Sequence, residues 1–403
     1  MSRILFAYER PLTTVTIMRE MFSNVPESVD NRLQTSFKSI REITKEDIDS
    51  HDVLFLIRPS DYLSYKIAGK ARKAGCFVIV HIDDDLLNPP QDYLSIPWRK
   101  YYLKKTLNQA HIVCSSTRSI ADKYRSLVPG SRQALLNTFV TQQEMKTIHS
   151  DAHVHKDNAV KIVYAANRSH RVLFEKFLLP VLPLLYDEYG DCISFTFVGL
   201  KPQLGEFESK FKVDFVESMP LLEYRKYMAE GDFDIGIAPL GDDAFSRCKY
   251  FNKYIEYTTA GIMGVYSKCE PYTLVVENGE NGLLAENTKE GWFQALRTAI
   301  DHPSFRTACV IRAQENLLRN FSPAGVLQAL MEDIPELTAH ETQRIKSKEL
   351  WTDGAIYSAM RMFDIAYIVL YTLVKSGISG LFFKFTSHFR ERKNMVIRGG
   401  NNP

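Results

Sequence analysis

The segment RCKYFNKYIEYTTAG at residues 247–261 decides the fold, together with IMGVYS at 262–267 and NGENGLL at 278–284. The first part has the composition of a short helix, and a glycine-bearing break follows it. A small apolar strand and an Asn-Gly turn come next. A helix that leads through glycine into a short apolar strand is typical of an α/β unit in a parallel sheet.

Charged side chains lie on the predicted helix, which we place at 249–257. Lys253 and Glu256 are three residues apart, so they share one helix face, and Lys249 precedes them by one turn. That face can offer positive charge to a diphosphate and a carboxylate acceptor to ribose hydroxyl groups. The alternative is a surface helix that carries only an ion pair.

The order Lys-x-x-Glu-Tyr, glycine, apolar strand and Asn-Gly-Leu-Leu resembles the nucleotide-sugar site of glycosyltransferases with two Rossmann-like domains (GT-B), similar to the retaining family 4 and family 1-like group of bacterial polysaccharide transferases. The resemblance covers residues 1–330. It implies that Lys249 or Lys253 binds the donor diphosphate and that Glu256 binds its ribose. Retaining members also carry a glutamate eight positions before Glu256, where this chain has Cys248. Retention and inversion of the sugar therefore stay open.

Length and composition limit the class of protein. The chain has 403 residues, 45% apolar and 24% charged, which allows two soluble α/β domains and an appendage. The net charge of +2 gives no reason to expect nucleic acid as a partner. Six cysteines without a Cys-x-x-Cys pair favour a reducing compartment over a disulfide framework. The first apolar segment is too short for a signal peptide, so we expect a cytoplasmic protein.

Short apolar segments alternate with helical patterns, which predicts an α/β fold with parallel sheets. The first half is expected to have strands at 3–8, 52–57, 77–82, 111–115 and 133–136. The second half is expected to have strands at 160–165, 193–199, 213–216, 233–238, 262–267 and 274–276.

A polar segment at 147–158 predicts the interdomain linker. We expect an N-terminal Rossmann-like acceptor domain at 1–150 and a C-terminal Rossmann-like nucleotide-sugar domain at 151–334. A linker and a helical tail would occupy 335–403. Ligands of open parallel sheets bind at the carboxyl ends of the strands, so the site is expected in the cleft between the domains.

Three consecutive carboxylates, Asp83, Asp84 and Asp85, follow the third predicted strand in HIDDDLL at 81–87. They must face water, a cation or a ligand, because burying an unpaired charge is costly. A metal-binding Asp-x-Asp pair is one interpretation. The two-lobed pattern, with lysines available for the diphosphate, instead favours acceptor binding or general acid–base catalysis. The structural alternative is that Asp84 or Asp85 caps a helix.

Two further segments resemble donor-binding loops of the same family. In VYAANRSHR at 163–171, Arg168 best matches the basic residue that meets the donor phosphates. A guanidinium suits phosphate because it donates two parallel hydrogen bonds. The alternatives are Arg171 and Lys176. The segment FDIGIAPLGDDAF at 233–245 resembles the strand and loop beside the donor, which places Asp242 near the base or sugar.

The tail has a different composition. Residues 355–385 are apolar and aromatic, but Asp364 and Lys375 interrupt them, so a clean span of ~20 apolar residues is missing. Five basic residues follow: Lys384, Arg390, Arg392, Lys393 and Arg398. This composition predicts a helix that lies in a membrane interface, with its basic part attracted to anionic headgroups. The alternative is a helix that packs back on the first domain, and both can hold.

The resemblance implies transfer of a sugar from a nucleoside diphosphate to an acceptor hydroxyl group, with closure of the two lobes to exclude water. No metal or other cofactor is expected, since lysine and arginine would neutralise the diphosphate. A membrane-bound tail would suit a saccharide or lipid-linked acceptor in surface polysaccharide or glycolipid assembly, at the inner face of the cell membrane. The alternatives are a nucleotide-sugar epimerase on the same fold and an inactive binding or scaffold protein.

Overall fold

The computed structural model describes residues 2–23, 32–88, 96–148, 159–339 and 355–375. Within these ranges the chain forms two lobes, each built on a six-stranded parallel sheet. Successive residues of a strand enter different core clusters: Leu5 and Ala7 lie on one face of the first sheet, and Ile4 and Phe6 on the other. Each sheet is therefore covered on both sides, as the near-continuous apolar strands predict.

The first lobe contains strands β1 Ser2–Tyr8, β2 Leu33–Ser39, β3 Val53–Ile57, β4 Phe77–Ile82, β5 Ile112–Ser115 and β6 Arg132–Leu135. Their order in the sheet is β2-β1-β3-β4-β5-β6. The lobe also contains helices α1 Thr13–Ser23, α2 Lys45–Ser50, α3 Tyr62–Lys73, α4 Pro97–Leu107 and α5 Arg118–Arg125. Thr117 caps α5 by accepting a hydrogen bond from the Ile120 amide at 3.3 Å, as its place in the sequence indicates.

The second lobe contains strands β7 Val160–Ala165, β8 Ile193–Val198, β9 Lys212–Val216, β10 Ile235–Ala238, β11 Met263–Ser267 and β12 Leu283–Ala285. Their order is β12-β11-β10-β7-β8-β9, the arrangement of a Rossmann sheet. Its helices are α6 Arg171–Phe177, α7 Leu182–Tyr189, α8 Phe207–Lys210, α9 Leu221–Glu230, α10 Asn252–Thr259, α11 Lys289–Asp301 and α12 Pro303–Asn320.

The α/β class and the two Rossmann-like sheets are confirmed, but one predicted strand is wrong and two strands, β2 and β12, were not predicted. The segment 274–276 is not a strand; a short 3₁₀ turn ends at Leu274, and the last strand is β12. Strand β2 was not predicted, because its sequence LQTSFKS is mostly polar. It lies at the edge of the sheet, where side chains need not be fully buried, so an apolar signal is missing.

Two helices return to the first lobe after the second lobe is complete. They are α13 Pro323–Asp333 and α14 Glu336–Ala339. Val326, Leu330 and Leu337 pack in the same core cluster as Phe6 and Phe55. The chain therefore passes between the lobes twice, and the two crossings meet where the Val140 amide donates a hydrogen bond to the Phe321 carbonyl at 2.8 Å. The domain ranges drawn from the sequence remain a prediction, and most of the 147–158 linker lies outside the described residues.

A last helix, α15 Ala355–Lys375, docks on the first lobe. The carboxylate of Asp364 accepts a hydrogen bond from the Trp98 indole at 2.7 Å. It also forms an ion pair with Arg99 at 2.9 Å. Tyr357 is buried in the first-lobe core. By length and composition alone, α15 is apolar enough to cross a membrane. The basic residues predicted to follow it lie outside the described residues.

The order of the strands in each sheet determines where the cleft between the lobes lies. In the second sheet the strand order reverses between β7 and β10, and in the first sheet between β1 and β3, although all strands are parallel. Loops that leave neighbouring strands in opposite directions open a crevice at such a point. Both crevices face the same cavity, because it is lined by Thr14 and Arg58 from the first lobe and by Ala166 and Leu240 from the second.

Candidate functional site

A cavity of about 460 Å³ lies between the lobes, and we call it the central cavity. It is lined by five of the side chains that the sequence analysis selected: Asp83, Asp84, Lys249, Lys253 and Glu256. The two carboxylates come from the first lobe, and the other three come from the second. Groups more than 160 positions apart in sequence are thus brought to one cavity.

Helix α10 carries Lys253 and Glu256 on one face, as predicted. The Lys253 ammonium donates a hydrogen bond to the Glu256 carboxylate. The Tyr224 hydroxyl on α9 donates a second one to Glu256 at 2.8 Å. Burial, and then the negative charge of Glu256, raise the pKa of Tyr224, so its hydroxyl keeps its proton and remains a donor. The Lys253 ammonium also lies 5.3 Å from the centre of the Tyr224 ring.

Lys249 reaches the cavity from outside the helix. The predicted helix start was wrong, because α10 begins at Asn252 and Lys249 has an extended backbone after a 3₁₀ turn. Its ammonium lies 4.7 Å from the centre of the Phe245 ring. Cys248, at the position of the family's glutamate, is buried and packs in the core cluster of the first lobe. Burial raises the pKa of the Cys248 thiol, so it supplies no negative charge there at neutral pH.

The three aspartates after β4 have different environments. Asp83 accepts hydrogen bonds from Arg58 at 2.6 Å and from the Thr14 hydroxyl. Burial raises the pKa of Asp84, and the positive charge of Lys249 across the cavity opposes this rise. Among the described residues, no ion pair engages Asp84. It is therefore the carboxylate best placed to take part in chemistry.

Asp85 does not line the central cavity. Its side chain is 1% exposed and forms an ion pair with Lys123 on α5. It also accepts a hydrogen bond from the Asn88 amide at 3.2 Å, which stabilises the turn after β4. The carboxylate run therefore divides by environment: Asp83 and Asp84 face the cavity, and Asp85 holds the loop in place.

A second cavity of about 810 Å³ adjoins the first and shares His170, Leu240 and Lys249 with it; we call it the side cavity. Arg168 lines the side cavity and is 65% exposed, 3.9 Å from Glu217. Asp242 lines none of the cavities described here, because it points outward and accepts a hydrogen bond from Arg247 at 2.8 Å. Arg168 thus lines a cavity that Lys249 also lines, whereas Asp242 does not.

Among the central-cavity residues that were not predicted from the sequence are His170 and Arg58. His170 lies in the loop after β7 and faces both cavities. Burial, followed by the charges of Lys249 and Lys253, lowers the pKa of His170 to about 4, so its ring is neutral at pH 7. Arg58 directly follows β3 and fixes Asp83. Each position has a recognisable signal, a polar side chain within a few residues of the carboxyl end of a strand.

Among the described residues, no group of three or more His, Cys, Asp or Glu side chains is arranged so that it could hold a metal ion. The cationic side chains that line the central cavity are Arg58, Lys249 and Lys253.

Comparison with protein families finds no match, and neither does comparison with curated proteins. Solved structures do match. HepE from Anabaena, in complex with UDP and glucose, has 13% identity and a TM-score of 0.59, over 83% of this chain and 100% of that chain. An alpha-glucosyltransferase in complex with UDP-glucose and DNA has 12% identity and a TM-score of 0.58, over 84% and 100%.

The sucrose-phosphate synthase of Thermosynechococcus elongatus has 11% identity and a TM-score of 0.57, over 81% of this chain and 97% of that chain. At such identities the likeness shows the fold. It is the GT-B fold of nucleotide-sugar glycosyltransferases, with both lobes and their intervening cavity present.

Proposed function

We propose that this GT-B protein is a glycosyltransferase that moves a sugar from a nucleoside diphosphate to an acceptor hydroxyl group. The observation that carries the proposal is the central cavity itself. Lys249, Lys253 and Glu256 of the second lobe face Asp83 and Asp84 of the first lobe across it. Positive charge on one side suits a diphosphate, and a carboxylate on the other side suits a hydroxyl group that must lose its proton.

The donor would occupy the second lobe. Its diphosphate would lie beside Lys249 and Lys253, with Arg168 at the edge. The side cavity would accept the base, since its walls include Leu200 and Val216 and it joins the central cavity at Lys249. The Glu256 carboxylate would accept hydrogen bonds from the ribose hydroxyl groups, and Tyr224 would hold it in position. The HepE structure contains UDP and glucose, which supports a nucleotide sugar as the ligand.

In the reaction the acceptor oxygen bonds to the anomeric carbon of the sugar, and the bond from that carbon to the diphosphate breaks. Negative charge grows on the departing diphosphate, and Lys249 and Lys253 stabilise it. The acceptor proton passes to Asp84, whose raised pKa suits a base that must hold that proton. Asp83, fixed by Arg58, orients the acceptor.

The acceptor would be bound at a membrane. Helix α15 docks through Asp364 and Tyr357, so its opposite face is exposed. That face is apolar and follows helical spacing: Ile356, Ala359, Met362, Phe363, Ala366, Leu370, Leu373 and Val374. An exposed apolar helix face beside a basic tail suits the interface of an anionic membrane. This placement supports a lipid-linked acceptor in glycolipid or surface polysaccharide assembly, with the enzyme peripheral at the inner face of the cell membrane.

The experiment is donor turnover. UDP-, GDP- and CMP-sugars are screened for thermal stabilisation of the wild type, since a ligand that binds only the native state raises its melting temperature. The sugar nucleotide that stabilises the wild type most is then used as substrate, and its rate of hydrolysis by the wild type is compared with that by the Lys253→Ala variant. We expect a loss of about a hundredfold or more in kcat/KM, because a charge that stabilises the leaving group is removed.

Lys226→Ala is the matched control, since Lys226 is an exposed lysine on α9 that pairs only with Glu230 in the described structure. It should keep wild-type turnover. A wild type that binds none of the sugar nucleotides, or a Lys253→Ala variant as active as Lys226→Ala, would contradict the proposal. Release of a free epimer without an acceptor would favour an epimerase.

A further inference from the structure

We propose that a third cavity, on the first lobe, binds a phosphate group of the acceptor through Arg10 and Lys100. This acceptor pocket has a volume of about 280 Å³ and shares Arg58 and Asp84 with the central cavity. Naming the ligand as the acceptor rests on the proposed function. The anion site itself rests on the charges that line the pocket.

Most charges in the pocket are already paired. Glu9 accepts from Arg99 at 3.3 Å, and Arg99 also pairs with Asp364. Arg58 pairs with Asp83, and Asp85 pairs with Lys123. Among the described residues, Arg10 and Lys100 make no ion pair, although both line the pocket. Once the paired groups have been set aside, the charged residues that remain in the pocket lining are Arg10, Lys100 and Asp84.

The environment of Arg10 favours an anion. Partial burial of the guanidinium lowers the pKa of Arg10, and the nearby positive charges of Arg99 and Arg361 lower it further. The negative charges of Glu9 and Asp364 oppose this shift, but both carboxylates are already paired with Arg99. Like charges held together are unfavourable unless a counter-charge lies between them. A phosphate group offers that counter-charge and accepts the parallel hydrogen bonds of a guanidinium.

The pocket is also lined by Asp84, which lines the central cavity together with Lys249. A phosphorylated sugar would therefore lie with its phosphate on Arg10 and Lys100 and with a hydroxyl group at Asp84. The pocket wall is also tied to α15, because Arg99 pairs with Asp364 of that helix. A lipid chain on the same phosphate would leave the pocket beside α15.

The test measures the binding of inorganic pyrophosphate by calorimetry. The full chain with Lys253→Gln is the background, since this change weakens the proposed donor diphosphate site. We expect the added pair Arg10→Gln and Lys100→Gln to weaken pyrophosphate binding about tenfold or more, because two charge-assisted contacts are lost. The control pair is Lys104→Gln and Lys105→Gln, which removes the same charge from exposed positions on α4. It should leave the affinity unchanged.

Equal affinity in the two pairs, or no pyrophosphate binding in the background, overturns the anion site. UDP binding to the Arg10→Gln/Lys100→Gln protein with Lys253 intact separates this result from the proposed function. Retained UDP affinity shows an intact donor site, whatever happens to pyrophosphate. A wild type that binds no nucleotide contradicts the glycosyltransferase proposal, but a selective loss of pyrophosphate would still support the pocket.

Farnesyl diphosphate in detergent distinguishes two sources of the phosphate. Binding that is at least tenfold tighter than that of pyrophosphate, and lost in the Arg10→Gln/Lys100→Gln pair, supports the pocket with a lipid-linked acceptor. Equal affinities of the two probes, both lost in that pair, support the pocket with a soluble phosphorylated acceptor. Farnesyl diphosphate binding that the pair leaves unchanged overturns the pocket as its phosphate site.

Discussion

Lys253 donates a hydrogen bond to Glu256 within one turn of α10, and both side chains line the central cavity. The two groups proposed to bind different parts of the donor are therefore hydrogen-bonded to each other. Each is only about a quarter exposed, so the pair is partly shielded from water. A diphosphate that arrives would compete with Glu256 for the ammonium, and ribose hydroxyl groups would then compensate the carboxylate.

The first prediction concerns that exchange. Glu256→Gln should weaken UDP binding about tenfold, because the amide is a poorer acceptor for ribose hydroxyl groups than a carboxylate. The variant should bind 2′,3′-dideoxy-UDP no worse than the wild type does. Tyr224→Phe, which removes one hydrogen bond of 2.8 Å to Glu256, should have a smaller effect, of about threefold. Calorimetric titration with both nucleotides checks this. An equal loss for the two nucleotides would show that Glu256 does not contact the ribose.

A second prediction separates Asp84 from Asp85. Asp84→Asn should lower kcat by about a hundredfold or more while nucleotide affinity is kept, since the proposed general base is lost. Asp85→Asn should instead lower the free energy of unfolding by roughly 2 kcal/mol, because it breaks a charged hydrogen bond to Lys123 at a buried site. Steady-state kinetics and urea unfolding of both variants check this. If the Asp85→Asn variant were stable but inactive and the Asp84→Asn variant were active, Asp85 rather than Asp84 would be the general base.

A third prediction concerns Glu9. Burial, and then the negative charge of Asp61, raise the pKa of Glu9 from 4.5 to about 7. Between these values the folded protein binds more protons than the unfolded chain. Its stability therefore falls as pH rises from about 5 to about 7.5, by up to ~3 kcal/mol from this group. In the Glu9→Gln variant the free energy of unfolding should decrease much less over this pH range. The Glu290→Gln variant, changed at an exposed position on α11, should show the same decrease as the wild type. Urea unfolding at several pH values checks this; parallel curves for wild type and Glu9→Gln would contradict it.

A fourth prediction concerns α15. Phe363 and Leu370 are each 63% exposed on its apolar face, so Phe363→Gln/Leu370→Gln should cost little stability. It should reduce flotation of the full chain with vesicles that contain anionic lipid, because apolar area that would enter the interface is lost. Leu222→Gln/Leu274→Gln is the matched control, since these leucines are 66% and 57% exposed on the second lobe. Equal flotation of the two double variants would argue against a membrane role for the helix.

The sequence alone was sufficient for most strands of the two sheets and for one helix face. Buried parallel strands such as β3 and β4 are nearly all apolar, so their positions can be read from composition. The shared face of Lys253 and Glu256 follows from helical spacing. Tertiary partners were not accessible in this way. No local pattern shows that Asp85 is paired with Lys123, that Asp242 points away from the cavities, or that Asp364 joins Trp98 and Arg99. These outcomes depend on residues far apart in the chain.

The return of α13 and α14 to the first lobe has a consequence for how the protein is made. Val326, Leu330 and Leu337 cover a face of β1 and β3, but a ribosome delivers them only after the whole second lobe. During synthesis the apolar face of β1 and β3 would stay exposed to water until these residues are made, while the second lobe could finish folding first. The half that is translated earliest is thus the last to be completed, and chaperones that shield apolar surfaces would be needed most in that interval.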